Sequence, residues 1–237
     1  MPKKENIREM FDNISPDYDH LNHLMSMNVD KSWRRRALKY IVPENGQISV
    51  MDLACGTGDF SIAIAHRMKE NEVKGHITGV DLSEGMLEFM RTKIADERLE
   101  GMVSAELGDG EMLHFAEASF DCVTIAFGIR NFEDKPAGLK EMLRVLKPGG
   151  KMVILELSVP SNKVLLWFYN LYFKHVLPAI GGHISGDKKA YKYLPASVLG
   201  FPKPKAFMSM IKDAGFSSVF TKSYYTLGIC RLFVAEK

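Results

Sequence analysis

Cysteine is scarce in this chain. Cys55, Cys122 and Cys230 are the only three among 237 residues. An odd count with no C-x-x-C spacing excludes a disulfide framework and gives no zinc knuckle. Such usage fits a reducing compartment, so a cytoplasmic location is expected. Neither sign of charge is in excess: 31 Lys and Arg against 29 Asp and Glu leave a net charge of +2, too small to indicate nucleic-acid binding. No apolar run reaches the length of a membrane span, because Asn170, Lys174 and His175 interrupt the nearest one, Val164 to Ile180. The stretch Met1-Pro2-Lys3-Lys4-Glu5-Asn6 has neither an apolar signal core nor an Arg-rich transit pattern. Internal repeats and low-complexity tracts are absent too. What is there is ordinary for a globular protein, 46% hydrophobic and 25% charged residues, and long enough for one large domain.

A third glycine is also missing. Ile48 to Leu53 reads as a buried strand, Gly56 and Gly58 as a loop, and Phe60, Ile62, Ile64, Ala65 and Met68 as a helix opened by Asp59. Strand, glycine loop and helix make a Rossmann-like first unit. The dinucleotide fingerprint G-x-G-x-x-G has Ser61 where its last glycine belongs. Asp59 puts a carboxylate where a pyrophosphate would sit at a helix N-terminus. A ligand with a positive charge and no phosphate suits such a loop better, and S-adenosylmethionine is one. The second strand, His76 to Val80, ends in Asp81, where an acid can accept from both ribose hydroxyls. For both Asp81 and Asp59 the competing role is a helix N-cap.

The patterning predicts three regions in a single α/β domain. Residues 1–46 form a helical arm: Ile7, Met10, Phe11 and Ile14 have helical spacing up to Pro16, a short pattern runs from Tyr18 to Met25, and a third carries Trp33, Ala37, Leu38 and Ile41. Arg34, Arg35, Arg36 and Lys39 are expected on the solvated side of that last helix, where anionic lipid is an alternative partner. Residues 47–157 and 203–237 are expected to form the core, strands alternating with helices. Lys147-Pro148-Gly149-Gly150 reads as a helix stop and turn ahead of a strand from Met152. Two closing strands, Ser218 to Tyr225 and Gly228 to Ala235, are linked so briefly that they must be an antiparallel hairpin. Residues 158–202, dense in aromatics between Trp167 and Phe173, read as a lid insertion.

Four stretches then carry a resemblance: Tyr18 to Ser26 continuing to Trp33-Arg34-Arg35, Asp52 to Asp59, Phe127-Gly128-Ile129-Arg130-Asn131, and Arg144 to Gly150. By these the chain resembles the ubiquinone/menaquinone biosynthesis C-methyltransferase family of class I S-adenosylmethionine-dependent enzymes, over nearly its whole length. Asp30 departs from it, standing where that family usually has histidine. The resemblance implies a Rossmann-like seven-stranded, mostly parallel sheet with an antiparallel C-terminal hairpin. It implies a cofactor site at Gly56, Thr57, Gly58, Asp81, Asp109 and Gly110, with Asp109-Gly110 at the adenine. It gives Ala126 no cofactor contact, since many relatives have serine there.

The implied reaction is C-methylation of a prenylated quinol, demethylmenaquinol or a ubiquinone-pathway benzoquinol. A phenol with a pKa of about 10 is ionised in roughly one molecule in a thousand at neutral pH, so the ring carbon needs a proton acceptor or positive charge near its oxygen. Arg130 and Asn131 are the candidate catalytic residues. Arg130 does not act as a simple base, because it stays charged; it would stabilise the phenolate or orient a water, with a structural pair to Glu133 or Asp134 as its alternative. His20, His23, His183, Tyr18 and Tyr191 stay open as proton acceptors. No metal is expected. The aromatic insertion suits either an isoprenoid tail at a membrane interface or a packed lid helix. Peripheral contact with the inner face of the membrane and a homodimer stay open. Competing functions are methylation of another small molecule, a cofactor-holding module without turnover, and an NAD-dependent reductase.

Overall fold

The computed structural model describes residues 3–19, 26, 28–160, 162–171, 188–223 and 228–237. Seven strands form one sheet in the order β3-β2-β1-β4-β5-β7-β6. They are β1 (Gln47–Leu53), β2 (Lys74–Asp81), β3 (Val103–Leu107), β4 (Phe120–Ala126), β5 (Leu146–Leu157), β6 (Ser218–Ser223) and β7 (Cys230–Glu236). The first five pair in parallel, while β7 runs antiparallel to both β5 and β6. The expected sheet and closing hairpin are therefore present.

Helices cover both faces: α1 (Lys4–Ile14), α2 (Val29–Ile41), α3 (Asp59–Glu70), α4 (Glu84–Asp96), α5 (Lys135–Val145), α6 (Lys163–Leu171), α7 (Lys188–Gly200) and α8 (Pro204–Asp213). Side chains alternate across a strand, so adjacent residues enter different cores. Val50 joins Trp33, Ile41, Phe60, Ile64, Met68 and Met90 on one face. Met51 and Leu53 join Leu139, Met142, Phe207, Ile211 and Phe233 on the other.

Two local expectations are corrected. Lys147 to Gly150 does not separate a helix from a strand: β5 already starts at Leu146, and the residues bulge as its register to β4 moves from Phe120↔Leu146 to Cys122↔Lys151. Arg34 is not on the solvated side of α2. Its side chain is only 14% exposed, drawn in by Asp30 at 2.7 Å and Asp59 at 3.2 Å, and its guanidinium lies over the Phe127 ring. Arg35, Arg36 and Lys39 are exposed as expected. Most of the Tyr18–Met25 pattern, the candidates His20, His23 and His183, and the turns at 181–187 lie outside the described residues. So does the Tyr191 side chain.

Candidate active site

Neighbours β1 and β4 are where the strand order reverses, and in open α/β sheets ligands bind beyond the carboxyl ends of the strands at that point. A cleft lies there. Its free space is about 760 Å³ with the open mouth included. Gly56 after β1, Asp81 at the end of β2, Asp109 and Gly110 after β3, and Phe127, Gly128 and Asn131 after β4 all line it. Residues distant in sequence thus meet at one crevice because each closes a parallel strand.

The backbone at the lips is bent for this purpose. Gly56 has φ +57°, which puts its Cα face against the cleft with Tyr18 Cε1 3.8 Å from where a Cβ would stand. Ala54 (φ +52°) and Phe127 (φ +61°) adopt the left-handed region without being glycine, a conformation that concentrates at functional sites. Beside Phe127, a Cβ on Gly128 would come within 2.6 Å of the Ala54 Cβ. At Gly110 a Cβ would meet the Phe132 ring at 2.6 Å, so glycine lets that ring floor the cleft.

Asp81 is not the helix cap. Ser83 caps α4 by accepting from the Met86 amide. The Asp81 carboxylate instead accepts from the amides of Gly56 at 2.8 Å and Ser83 at 2.9 Å, which fixes it at the cleft wall with lone pairs to spare. Burial raises its pKa, against the pull of those amides. Asp109 accepts from the Glu111 amide at 2.9 Å and from Lys4 Nζ at 2.6 Å.

The arm is tied across the cleft by acids and bases at intervals. Lys4 reaches Asp109 and Glu111. Asp12 accepts from the Ser83 hydroxyl and the Gly85 amide. Asp19 accepts from the Thr57 hydroxyl and pairs with Lys93. These tethers bring Ile7, Phe11 and Tyr18 into the lining.

Three expected site residues stand elsewhere. Thr57 is buried and bound to Asp19 and Lys93. Gly58 (φ +83°) starts α3 in the left-handed conformation, and a Cβ there would strike Met90 Cγ at 2.5 Å. Neither lines the cleft, and both shape the loop from behind. Asp59 is the first helical residue rather than the cap. Its charge is taken by Lys93 at 2.7 Å and Arg34 at 3.2 Å, so it is not a wall that selects a cationic ligand.

Arg130 and Asn131 share one 3-10 turn, Ile129–Asn131, but diverge. Arg130 does not pair with Glu133 or Asp134. Its amide and guanidinium both bind Glu156, at 3.1 and 2.8 Å, and the guanidinium also donates to the Phe127 carbonyl. Glu156 is fully buried and Arg130 nearly so. Burial opposes the charge, yet Glu156, then Tyr18 and Tyr193, hold the Arg130 pKa above its ordinary value. Asn131 lines the cleft, and its Oδ1 accepts from the Tyr193 hydroxyl at 2.9 Å. Sequence spacing gave no sign of Tyr193 or Glu156. Among the described residues no group of His, Cys, Asp and Glu is arranged to hold a metal.

Beneath the loop, Asp52 is fully buried; one oxygen accepts from Ser61 Oγ at 2.6 Å, and the other has no hydrogen-bond partner among the described residues. Burial pushes its pKa up to about 7, against the Ser61 bond. A raised carboxylate favours the folded state less as it ionises. The penalty is absent below the ordinary value near 4 and complete above about 7, amounting to about 4 kcal/mol. Asp52→Asn should therefore remove most of the stability lost between pH 5 and pH 8, read from urea unfolding at both. An unchanged pH slope in the variant would exclude Asp52 as its source.

Residues 1–237 match the ubiE/COQ5 methyltransferase family. The chain is 43% identical to a demethylmenaquinone methyltransferase of Bacteroides fragilis, over 99% of this chain and 94% of that protein. It is 45% identical to the ubiquinone/menaquinone biosynthesis C-methyltransferase UbiE of Geobacter sulfurreducens, over 99% and 90%. Among solved structures, a SAM-dependent methyltransferase of Thermotoga maritima superposes with a TM-score of 0.65 at 21% identity, covering 97% of this chain and 99% of that one. A Haemonchus contortus phosphoethanolamine N-methyltransferase 2 in complex with S-adenosyl-L-methionine gives a TM-score of 0.62 at 16% identity, over 87% of this chain and 52% of that one.

Proposed function

The chain belongs to the ubiE/COQ5 methyltransferase family, and from that premise we propose that it transfers a methyl group from S-adenosylmethionine to a ring carbon of demethylmenaquinol. It is a C-methyltransferase of quinone biosynthesis by kinship. The observation that carries the site assignment is the convergence of Gly56, Asp81, Asp109, Gly110 and Asn131 on one cleft at the strand-order reversal.

The cleft fits the cofactor. Asp81 is the carboxylate for the ribose diol. Asp109 is the acceptor for an adenine amino group, shared with Lys4, and Phe132 offers a flat apolar floor beside Gly110. Gly56 exposes backbone to the amino-acid end, with Thr57 and Gly58 holding the loop in shape. When bound, the cofactor supplies a methyl group already activated by its sulfonium charge.

The acceptor side is made by the turn after β4. Asn131 reaches into the cleft to hydrogen-bond the ring oxygen whose charge makes the neighbouring carbon nucleophilic. Arg130 supports that turn with a permanent positive charge, held by Glu156. Tyr18, over Gly56, closes the site from the arm. Alignment of carbon and methyl in this enclosed space supplies much of the acceleration.

The α6 helix supports a second part of the reading. Val164, Trp167 and Leu171 are exposed at helical spacing on one side, 63%, 60% and 43% respectively, a face suited to the membrane surface that holds an isoprenoid tail. One experiment covers both parts: labelled S-adenosylmethionine with chemically reduced demethylmenaquinone and, in parallel, the reduced benzoquinone precursor, each in buffer and in anionic vesicles. Label on the ring carbon of menaquinol, with the protein floating with the vesicles, is the expected result. Label only on the benzoquinol precursor would move the substrate to the other quinone. Transfer without flotation would remove the membrane contact.

A further inference from the structure

We propose that Tyr193 is a positioning residue for the methyl transfer: its hydroxyl binds the amide oxygen of Asn131 and so turns the Asn131 NH2 group toward the ring oxygen of the acceptor. This rests on the reading above, in which Asn131 faces that oxygen.

An asparagine amide is two-faced, with an acceptor at one end and two donors at the other. A site that must stabilise a developing phenolate needs donors, because a carbonyl dipole pointing at the oxygen would repel the charge. The two ends of an asparagine amide are alike in size, so hydrogen-bonding neighbours decide which way it is turned. The Tyr193 hydroxyl donates to Oδ1 at 2.9 Å, which commits the carbonyl end to the protein and leaves the donor end for the cleft that Asn131 lines. Tyr193 is itself well placed for this task. It belongs to α7, which packs directly on the Ile129–Asn131 turn, so the contact joins the insertion to the acceptor side of the site across 62 residues of chain. Burial keeps its hydroxyl protonated although Arg130 pulls the other way. A hydroxyl that stays a donor holds the amide in one orientation throughout the reaction.

The same bond makes α7 part of the active site. An acceptor that separates α7 from the turn would release Tyr193 and lose the orientation of Asn131. Selectivity for ring substituents is then set partly by how closely α7 can sit on the Ile129–Asn131 turn.

The test is a double-mutant cycle on the full chain, with quinol methylation, S-adenosylhomocysteine affinity and thermal midpoint measured for each variant. Tyr193→Phe should lower kcat about ten-fold with cofactor affinity within about two-fold of wild type, and Asn131→Ala about a hundred-fold. In the Asn131→Ala background Tyr193→Phe should cost less than about two-fold more, since there is no amide left to orient. Asn131→Asp, which keeps the size but has no NH2 group, should fall as far as Asn131→Ala. An equal loss from Tyr193→Phe in both backgrounds, no loss in either, or an active Asn131→Asp would overturn the proposal. Wild-type protein that methylates no quinol would instead sink the substrate assignment.

Discussion

Glu156→Ala should destabilise the fold by about 3–5 kcal/mol, the cost of leaving a buried charge without its partner. Three donors would lose their acceptor at once: the Arg130 amide, the Leu157 amide and the Arg130 guanidinium, which would keep only the Phe127 carbonyl. Glu156 is 0% exposed, so bulk solvent does not share its role in the native fold. Against a total stability of about 5–15 kcal/mol for a typical domain, the loss should lower the thermal midpoint by roughly 10 °C. Replacing both charges, as in Arg130→Met with Glu156→Leu, should recover most of that stability, since a buried ion pair is seldom better than well-packed apolar side chains. Methyl transfer should not recover with it: kcat should stay about a hundred-fold down, because the bonds from Arg130 to the Phe127 carbonyl and to Glu156 that hold the Asn131 turn are gone. A single variant as stable as wild type would contradict the pairing. A stable double variant with normal turnover would reduce Arg130 to a structural role.

Asp81→Ala should weaken S-adenosylhomocysteine binding about a hundred-fold or more. A carboxylate accepting from two ribose hydroxyls makes two charge-assisted hydrogen bonds, each worth about 1.5–3 kcal/mol. Asp81→Asn should also lose much of the affinity, since one amide oxygen cannot serve the Gly56 and Ser83 amides and the ribose together. Calorimetry with a 2′-deoxy analogue separates the direct contact from a collapse of the loop. That analogue should bind wild type poorly, and Asp81→Ala should weaken it much less than it weakens the parent nucleoside. If Asp81→Ala weakened both alike, the carboxylate would be acting only through the Gly56 loop.

The architecture was legible because it is carried by patterns within short windows. The alternation of strands with helices is carried by their apolar patterns, and the closing hairpin follows from the brief link between β6 and β7. The places of Gly56 and Asp81 at the cleft were legible for a related reason, whereas Asp109 and Gly110 were implied by the family resemblance. Each lies at a strand end, and a parallel sheet gathers its strand ends at one edge. Charge partners were not legible. Arg130 sits beside Glu133 and Asp134 in sequence, yet it pairs with Glu156, which the β4–β5 pairing brings alongside. Arg34 has the spacing of a solvated face, yet Asp59 at the start of α3 draws it inward. Tyr193 lies in an insertion with no periodic signal toward the site, and only the packing of α7 on the turn reveals it. Lys147 to Gly150 has the composition of a stop, yet the sheet absorbs it as a bulge. Each of these outcomes depends on a neighbour that is distant along the chain.

The most direct measurement is a crystal structure with S-adenosylhomocysteine and a reduced demethylmenaquinone analogue. The account predicts the ribose hydroxyls on Asp81, the adenine between Asp109 and Phe132, and the unsubstituted ring carbon facing the sulfur with a ring oxygen on the Asn131 NH2. A nucleoside bound away from Asp81, or a ring that leaves Asn131 untouched, would contradict it.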